Sequence, residues 1–407
     1  MTILEVLRAA AIAYAGIWAT YVVLLPLASV FGRRRPGNGD SGPQEDTPGI
    51  AVIVPAHDMS PVISRCIESL LKSGYPTDNL DVHVVADHCT DDTAEKARLA
   101  GASVHTRDDG PAGKTYTLAW TLDKLTELGI EPDLYVIVDA TARVETGFFD
   151  ALVDIWRQGE DIIVSHSLLD AENQKWFARC LGLTLVHRNL QNRSRQRLGL
   201  SAFIEGRGMA YSRRYVRQFG WSLALPTSTR SGTHPTEDWR HAVRAVDAGL
   251  RVAFADKARV VTPLRSTLAA ATKQGVRWEK GRMANAATHG VRLLLRGLRQ
   301  RNLIKSLAAL DAIQPPVAIL GAFCVLIALL AVFFPGPQLS MALSFAPLAL
   351  FTSYGLAVVA AGRADGIRPV TVFWAPVYLA WRCTAFVMAW GFLDRFKSLK
   401  SRKDTGL

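Results

Sequence analysis

From residue 9 to residue 31 the chain carries no charged side chain. At about 1.5 Å per residue a helix of that length crosses the roughly 30 Å hydrocarbon core of a bilayer, where backbone polar groups must satisfy one another. Arg33, Arg34 and Arg35 follow at once, and the positive-inside tendency then places the rest of the chain in the cytoplasm. A cleaved signal peptide has a shorter apolar core than this run. Residues 1–32 therefore read as an uncleaved anchor and residues 33–48 as a basic linker.

An apolar fraction of 49% and a mean hydropathy of +0.13 call for further spans. Residues 317–334 and 339–361 supply two, joined by Pro335-Gly336-Pro337-Gln338, which is short enough only for a hairpin. A third apolar stretch, 370–393, contains Pro376 and Arg382, and a basic tail follows it. An arginine in mid-span is costly unless paired, so this stretch is expected to lie at the interface or re-enter rather than cross. Before the hairpin, in residues 291–316, Arg292, Arg296, Arg299, Arg301 and Lys305 flank Leu303, Ile304, Leu307 and Leu310, the pattern of an interfacial helix. The net charge of +11 is thus placed where a membrane uses it; no nucleic-acid-binding module accompanies it, and no nucleic-acid partner is expected. Five cysteines without paired spacing predict neither zinc nor disulfides.

Residues 49–290 form the cytoplasmic domain in this reading. Continuous apolar runs at 50–54, 81–86 and 134–139 have strand length, and helical patterns cover 62–71, 92–100 and 115–128. Alternation of this kind predicts an α/β fold, a mostly parallel sheet with helices on both faces whose ligands bind beyond the strand carboxyl ends. A helix over 176–198, a strand at 249–254 and an extended piece at 258–262 complete the domain. The helix carries Arg179, Arg188, Arg193, Arg195 and Arg197, either as a solvated face or as a surface toward anionic lipid.

Two stretches carry the chemistry. Glu237 and Asp238 follow Thr236, a residue of N-cap type, so both acids fall in a helix's first turn, where the dipole favours ionised carboxylates. Such an acid can serve as a general base, or simply cap the helix. Further on, Arg277 offers a fork suited to phosphate oxygens beside Trp278, a flat apolar face suited to a sugar ring, with Gln274 one turn earlier. These stretches resemble the Thr-Glu-Asp and Gln-x-x-Arg-Trp motifs of membrane-bound family 2 glycosyltransferases, the inverting group that includes cellulose, hyaluronan and chitin-oligosaccharide synthases.

The resemblance extends over residues 50–290 and implies a GT-A fold with transmembrane helices on either side. It makes Asp238 the base that deprotonates an acceptor hydroxyl, Arg277 a diphosphate ligand, Gln274 an orienting residue and Trp278 the acceptor platform beside Glu237. Pro55-Ala56-His57-Asp58 resembles the nucleotide-binding end of the first strand, with Met59 where the family usually has Glu. Pro55 and Asp58 are thereby donor-binding, while His57 reads as an ordinary loop histidine. Asp87, opening Asp87-His88-Cys89-Thr90-Asp91-Asp92-Thr93, is implied to accept from a uracil imide, and Asp91 to cap the next helix. Lys114, after Gly110-Pro111-Ala112-Gly113, matches a Gly-Lys that meets phosphate at a helix start. Asp139-Ala140-Thr141 stands where the family has Asp-x-Asp, so Asp139 and Thr141 are the implied ligands of Mg2+ or Mn2+. Phe203-Ile204-Glu205-Gly206-Arg207-Gly208-Met209 resembles the segment under the acceptor, which brings in Gly208 and Met209.

The function expected from these residues is inverting transfer of a sugar from a nucleotide sugar, most simply a UDP-sugar, to a membrane lipid or lipid-linked acceptor such as a polyprenyl-diphosphate oligosaccharide or glycolipid. The place is the inner membrane and the context bacterial polysaccharide or glycolipid synthesis. A processive synthase is the first alternative, with a homo-oligomer as the means by which three or four spans could form a channel. The second is a non-catalytic member of a membrane assembly, which the departures at Met59 and Thr141 favour.

Overall fold

The computed structural model describes residues 3–31, 47–170, 175–204, 206–221, 237–263, 267–334 and 338–404. The first apolar run is helix α1 (Ile3–Phe31). The domain begins with β1 (Ile50–Ala56), α2 (Ile63–Leu71), β2 (Leu80–Asp87), α3 (Thr93–Leu99), β3 (Ser103–Arg107), α4 (Lys114–Glu127) and β4 (Leu134–Ile137). It continues through β5 (Arg143–Val144), α5 (Phe148–Trp156), β6 (Ile162–Leu169), α6 (Trp176–Leu198), β7 (Met209–Ser212), α7 (Arg213–Phe219), α8 (Glu237–Asp247), β8 (Val252–Thr262) and α9 (Leu268–Asn285). After it come α10 (Val291–Arg299), α11 (Leu303–Ile313), α12 (Val317–Phe333), α13 (Gln338–Gly362) and α14 (Ala375–Asp404).

The eight strands form one mixed sheet in the order β3-β2-β1-β4-β7-β6-β8-β5. β1 pairs in parallel with both β2 and β4, so the direction in which strands are added reverses at β1 and a crevice opens between the carboxyl ends of β1 and β4. The β4 ladder on β1 ends at Ile53 and Ile137. Val138 N donates to Ile53 O at 3.0 Å, which turns Ile53, and by alternation Pro55, toward β4. Proline is tolerated there because its missing N–H faces the crevice rather than a partner strand. The apolar runs read as strands are buried on both faces, and Val52, Ile53, Val54, Val84 and Val136 are all fully enclosed.

The two extended pieces expected at 249–254 and 258–262 are one strand, β8, parallel to β6. Its register slips between Ser165 and His166, where residues 256–258 form the excess loop of a bulge. The bulge brings Asp256 against His166, whose Nδ1 lies 3.0 Å from Asp256 and whose Nε2 lies 3.2 Å from Asp365, just beyond α13. Neutral imidazole has one N–H, so contact of both nitrogens with carboxylates requires the imidazolium. Burial opposes that charge, but the hydrogen bonds to Asp256 and Asp365 outweigh it and raise the His166 pKa. Arg193 from α6 and Arg259 from β8 pair with the same two acids. A raised folded-state value means that this contribution to stability is complete below the ordinary histidine value of about 6.5 and is lost as pH rises through the folded value. The midpoint of thermal unfolding is therefore expected to fall as pH increases from about 6 to 9, and His166→Gln to flatten that slope.

α6 links the sheet to the apolar helices. Gln191 Nε2 donates to Val22 O and the Tyr354 hydroxyl, both at 2.9 Å, tying α6 to α1 and α13. Its arginines are mostly spent inside the protein: Arg195 is buried against Asp311, Arg193 pairs with Asp256, and Arg188 lies over the Phe203 ring at 4.3 Å. The arginine-rich helix is thus neither a solvated face nor a lipid-facing one at these positions, because each cation finds a partner across the fold.

Three apolar stretches among the described residues are helical and long enough to cross a membrane, at Glu5–Phe31, Gln338–Asp365 and Pro369–Gly391; α11 and α12 together make a fourth, bent by 70°. The interfacial helix expected at 291–316 is two helices. Arg301 takes a left-handed φ of 50°, Asn302 caps α11 by accepting from Lys305 N at 3.0 Å, and Gly297 lets the α11 backbone approach α10. The stretch at 370–393 has no re-entrant break, since a 3-10 turn at Pro369–Trp374 leads into the unbroken α14. Arg382 is paired with Glu279 of α9, which removes the cost that argued against its place in an apolar segment. The Pro335–Pro337 turn, the Arg33–Arg35 linker, Glu205, Thr236 and the side chains of Glu237 and the basic tail lie outside what the structure describes.

Candidate active site

The carboxyl ends of β1, β2 and β4 converge on one edge of the sheet. There Asp58 and His88 hold left-handed backbones, φ 50° and 52°, although neither is glycine. Strained residues of this kind cluster where a site is assembled. Asp58 Oδ1 accepts from Thr90 N at 2.8 Å, and His57 Nδ1 lies 2.8 Å from Asp87 O, so each stitches the β1 loop to the β2 loop. The N-cap of α3 is Asp92 rather than Asp91, which lies one residue earlier and accepts from Thr93 N at 3.0 Å. Asp58, Cys89 and Asp91 bring metal-ligand atoms within 4.8 Å of one another, but Ser60, Thr90 and Thr93 already occupy the two acids.

Asp87 is buried and surrounded. Its Oδ1 accepts from Arg107 at 2.5 Å and faces His88 Nδ1 at 2.9 Å, while Oδ2 accepts from Thr117 at 2.8 Å and Gly113 N at 3.2 Å. Burial pushes its pKa up, but the hydrogen bonds from Thr117, His88, Gly113 and Arg107 prevail and hold the carboxyl below its ordinary range. The acid expected to meet a base is thus also the knot that fixes α4 and β3 to the end of β2. A base reaches it by displacing one of these donors, with His88 the most exposed among the side chains. Asp87→Ala is expected to destabilise the fold by about 3 kcal/mol, because the buried Arg107 loses its counter-charge; unfolding in chaotrope measures this. The stability contributed by Asp87 is present above a pH of about 4 and lost as pH falls through its lowered value.

Lys114 opens α4, pairs with Asp139 just beyond β4, and donates to Gly206 O at 2.9 Å. Gly206, at φ +70°, lies against Asp238: a Cβ there would be 2.7 Å from Asp238 Oδ2. These contacts set Asp139, Lys114, Gly206 and Asp238 side by side, although 99 residues separate the two acids (238 − 139). Thr141 is half-buried on the turn that follows Asp139, where Ala142 N donates to Asp139 O at 2.8 Å. One carboxylate and one hydroxyl at a position already attractive to an ammonium is a hard-oxygen set that fits Mg2+ or Mn2+, provided that other oxygens complete it.

Gly208 packs closely on β6, since a Cβ there would be 2.5 Å from Ser165 Oγ. Met209 is the first residue of β7, 2% exposed, and accepts at sulfur from the Tyr211 hydroxyl at 3.4 Å. Its side chain is core, and the expectation of contact with an acceptor is corrected accordingly. The glycine at the acid is Gly206.

Asp238 owes its place to α8, which is clamped on two faces. Trp239, Val243 and Val246 pack with Leu293, Ala309 and Ala312 of α10 and α11. On the other side His241 is fully buried, stacked on Tyr211 with a 5.4 Å centroid separation, its Nε2 2.5 Å from the Tyr215 hydroxyl. Burial and the charge of Arg244 push His241 down to about 3, so it is neutral wherever the protein is folded near neutral pH. Asp238 Oδ1 accepts from Trp239 N at 2.8 Å in the helix's first turn, which favours the ionised acid. Glu237 precedes it at the helix start.

On α9, Gln274 and Trp278 are half-buried one turn apart and Arg277 is exposed. The stripe beside them, Ala271, Gly275 and Glu279, is buried. A surface groove of about 670 Å3 lies at the opposite ends of β4 and β6, where Arg213 pairs with Asp133 and Arg214 with Asp161.

Residues 48–281 match the family model described as "Glycosyltransferase like family 2". The chain belongs to glycosyltransferase family 2. It is an enzyme of the glycosyltransferase class, with a GT-A-like mixed α/β sheet between apolar helices that could span a membrane. A mannosyltransferase from Pyrobaculum calidifontis, solved in complex with GDP-Man and Mn2+, superimposes with a TM-score of 0.53 at 17% identity, covering 94% of this chain and 98% of that one. A glucosyl-3-phosphoglycerate synthase from Mycobacterium tuberculosis, solved with Mn2+, UDP-Glc and phosphoglyceric acid, gives 0.38 at 20% identity over 57% of this chain and 78% of its own. No curated protein sequence matches the chain.

Proposed function

We propose that this glycosyltransferase moves a sugar from a nucleotide sugar to a hydroxyl of a membrane-held acceptor, inverting the anomeric carbon. The observation that carries the proposal is the chain of contacts from Asp139 through Lys114 and Gly206 to Asp238, which brings the carboxylate at the end of β4 beside the carboxylate at the start of α8. Asp238 takes the acceptor proton as the acceptor oxygen bonds to the anomeric carbon; the bond to the diphosphate oxygen breaks, and its electron pair leaves with the nucleoside diphosphate. Held by Asp139 and Thr141, Mg2+ or Mn2+ would neutralise charge on the diphosphate. Lys114 is placed to add to that stabilisation, and Arg277 to bind diphosphate from α9. Trp278 and Gln274 share a helix face suited to a sugar ring. Pro55 and Asp58 lie at the carboxyl end of β1, where a base would enter, and Asp87 ends the neighbouring β2.

The uridine preference rests on the element from Asp87 to Thr93. The solved mannosyltransferase holds a guanosine donor, so UDP- and GDP-sugars belong in the same panel. For the acceptor, a polyprenyl-diphosphate oligosaccharide or glycolipid fits a site whose catalytic helices α8 and α9 pack on α11 and α14. His166 and Arg259 hold Asp365, so the loop after α13 lies on the same side as the sheet; with Arg33–Arg35 this supports a cytoplasmic catalytic domain on a bacterial inner membrane. Single addition is preferred over processive synthesis, since few helices are available to form a polymer channel in one chain. Nucleoside diphosphate release from a donor panel, in bacterial lipid extract with Mn2+, tests the proposal. Release from one donor that increases with added extract is expected; release that ignores the extract would argue against a lipid-phase acceptor.

A further inference from the structure

Glu279 is an acid 5% exposed on the helix that presents Gln274, Arg277 and Trp278. Its two oxygens are taken by guanidinium groups from different directions. Arg382 of α14 binds Oε1, and Arg282 lies 3.2 Å from Oε2. Arg282 also donates to Gln314 O at 2.7 Å, in the break between α11 and α12. The carboxylate therefore ties α9 to α14 directly and holds Arg282, itself on α9, where it reaches the α11–α12 break; burial makes each contact geometrically demanding.

The Arg382 contact runs along the motif itself. A Cβ on Gly275 would come within 2.8 Å of Arg382 Nη1, so the guanidinium crosses α9 at the one residue of Gln274–Trp278 that has no side chain. One turn back, Trp381 Nε1 donates to Thr272 Oγ1 at 2.8 Å. Thr272, Gly275 and Glu279 thus form a continuous seam with α14, adjacent to the stripe that carries Gln274 and Trp278. Further along α14's start, Tyr378 and Thr184 hydroxyls meet at 2.9 Å and Trp374 stacks on Trp176 at 5.6 Å, which anchors α14 to α6 as well.

From this geometry we infer that Glu279 and Arg382 are positioning residues for transfer: through them the C-terminal apolar helix sets the orientation of Trp278 and Arg277. The inference rests on the proposed role of α9 in binding acceptor and diphosphate, and it makes α14 a working part of the enzyme rather than an anchor alone. It also accounts for an arginine in an apolar segment, because the side chain is used on the protein side of the helix.

The test uses the full chain in detergent, labelled with 5-fluorotryptophan, with the Trp278 resonance assigned from Trp278→Phe. Glu279→Gln and Arg382→Met are expected to shift or split the Trp278 signal and leave that of Trp156, on α5, unchanged. Gly275→Ala suits its helix by propensity and keeps every charge, but its methyl group displaces Arg382, and the same Trp278 shift is expected. Arg382→Lys keeps the charge on Glu279 and should restore a signal close to wild type. Nucleoside diphosphate release in lipid extract should fall by about tenfold or more in Gly275→Ala and Arg382→Met, with kcat falling by a larger factor than donor KM rises, as for mispositioned groups. A Trp278 resonance that stays in place in Gly275→Ala and Arg382→Met would overturn the inference. A Trp278 shift with no nucleotide release from any donor by the wild type would instead sink the proposed function and leave the positioning role intact.

Discussion

Asp238→Asn is expected to lower sugar transfer by about a thousandfold, the usual range for loss of a positioned general base, while donor affinity stays within about twofold of wild type. The amide keeps the size of the acid and can still accept from Trp239 N, as Asp238 Oδ1 does at 2.8 Å, so the first turn of α8 stays formed. Trp239 and His241 hold the helix from both sides through packing that the substitution leaves alone. What is lost is the proton acceptor beside Gly206. Turnover assayed by nucleoside diphosphate release, with nucleotide binding measured by calorimetry, separates the two effects. A comparable loss of binding would mean that Asp238 belongs to the donor site.

The second large effect is expected at Asp139. Asp139→Asn should reduce kcat/KM for the nucleotide sugar by about a hundredfold and abolish the increase in rate with added Mn2+. Two reasons support a large effect: the acid is the charged member of the Asp139–Thr141 pair, and it forms an ion pair with Lys114 at the start of α4. Lys114→Met makes the complementary case. Removing the ammonium from Asp139 eliminates a competing cation, so the nucleotide-free protein should bind Mn2+ more tightly even as turnover falls. If both variants respond to Mn2+ as wild type does, the ion is held elsewhere.

Much of the donor side of the fold was legible because its strands are unbroken apolar runs. β1, β2 and β4 each have Pro or Asp within two residues of their carboxyl ends, and the helices between them have clear periodicity. β6 was not legible: it is central, yet Ser165, His166 and Ser167 occupy its middle, and each is buried. Their partners come from far away: Ser165 Oγ donates to Arg207 O, His166 meets Asp256 and Asp365, and the Ser167 backbone exchanges hydrogen bonds with the Asn189 amide of α6; no local pattern announces such partners. β3 and β5 are short or polar edge strands and were missed for similar reasons.

The site divides along the same line. Asp87, Asp139 and Asp238 could be singled out by local motifs, whereas what each one touches depends on contacts that span the chain. Arg107 and Thr117 on Asp87, Lys114 on Asp139 and Gly206 beside Asp238 emerge only when the sheet is assembled. Met209 shows the converse, since a residue in a suggestive motif is core once β7 pairs with β4 and β6. Arg382 did leave a trace in the sequence, as a charge in an apolar run, but its partner Glu279 lies 103 residues away.

The central claim is that Asp238 is the base of a nucleotide-sugar-dependent transfer. Its most direct test is nucleoside diphosphate release from a panel of UDP- and GDP-sugars by wild type and Asp238→Asn, in bacterial lipid extract with Mn2+. The account predicts release from one donor by wild type and near-complete loss in Asp238→Asn with nucleotide still bound. Release that proceeds equally in the two proteins would contradict it.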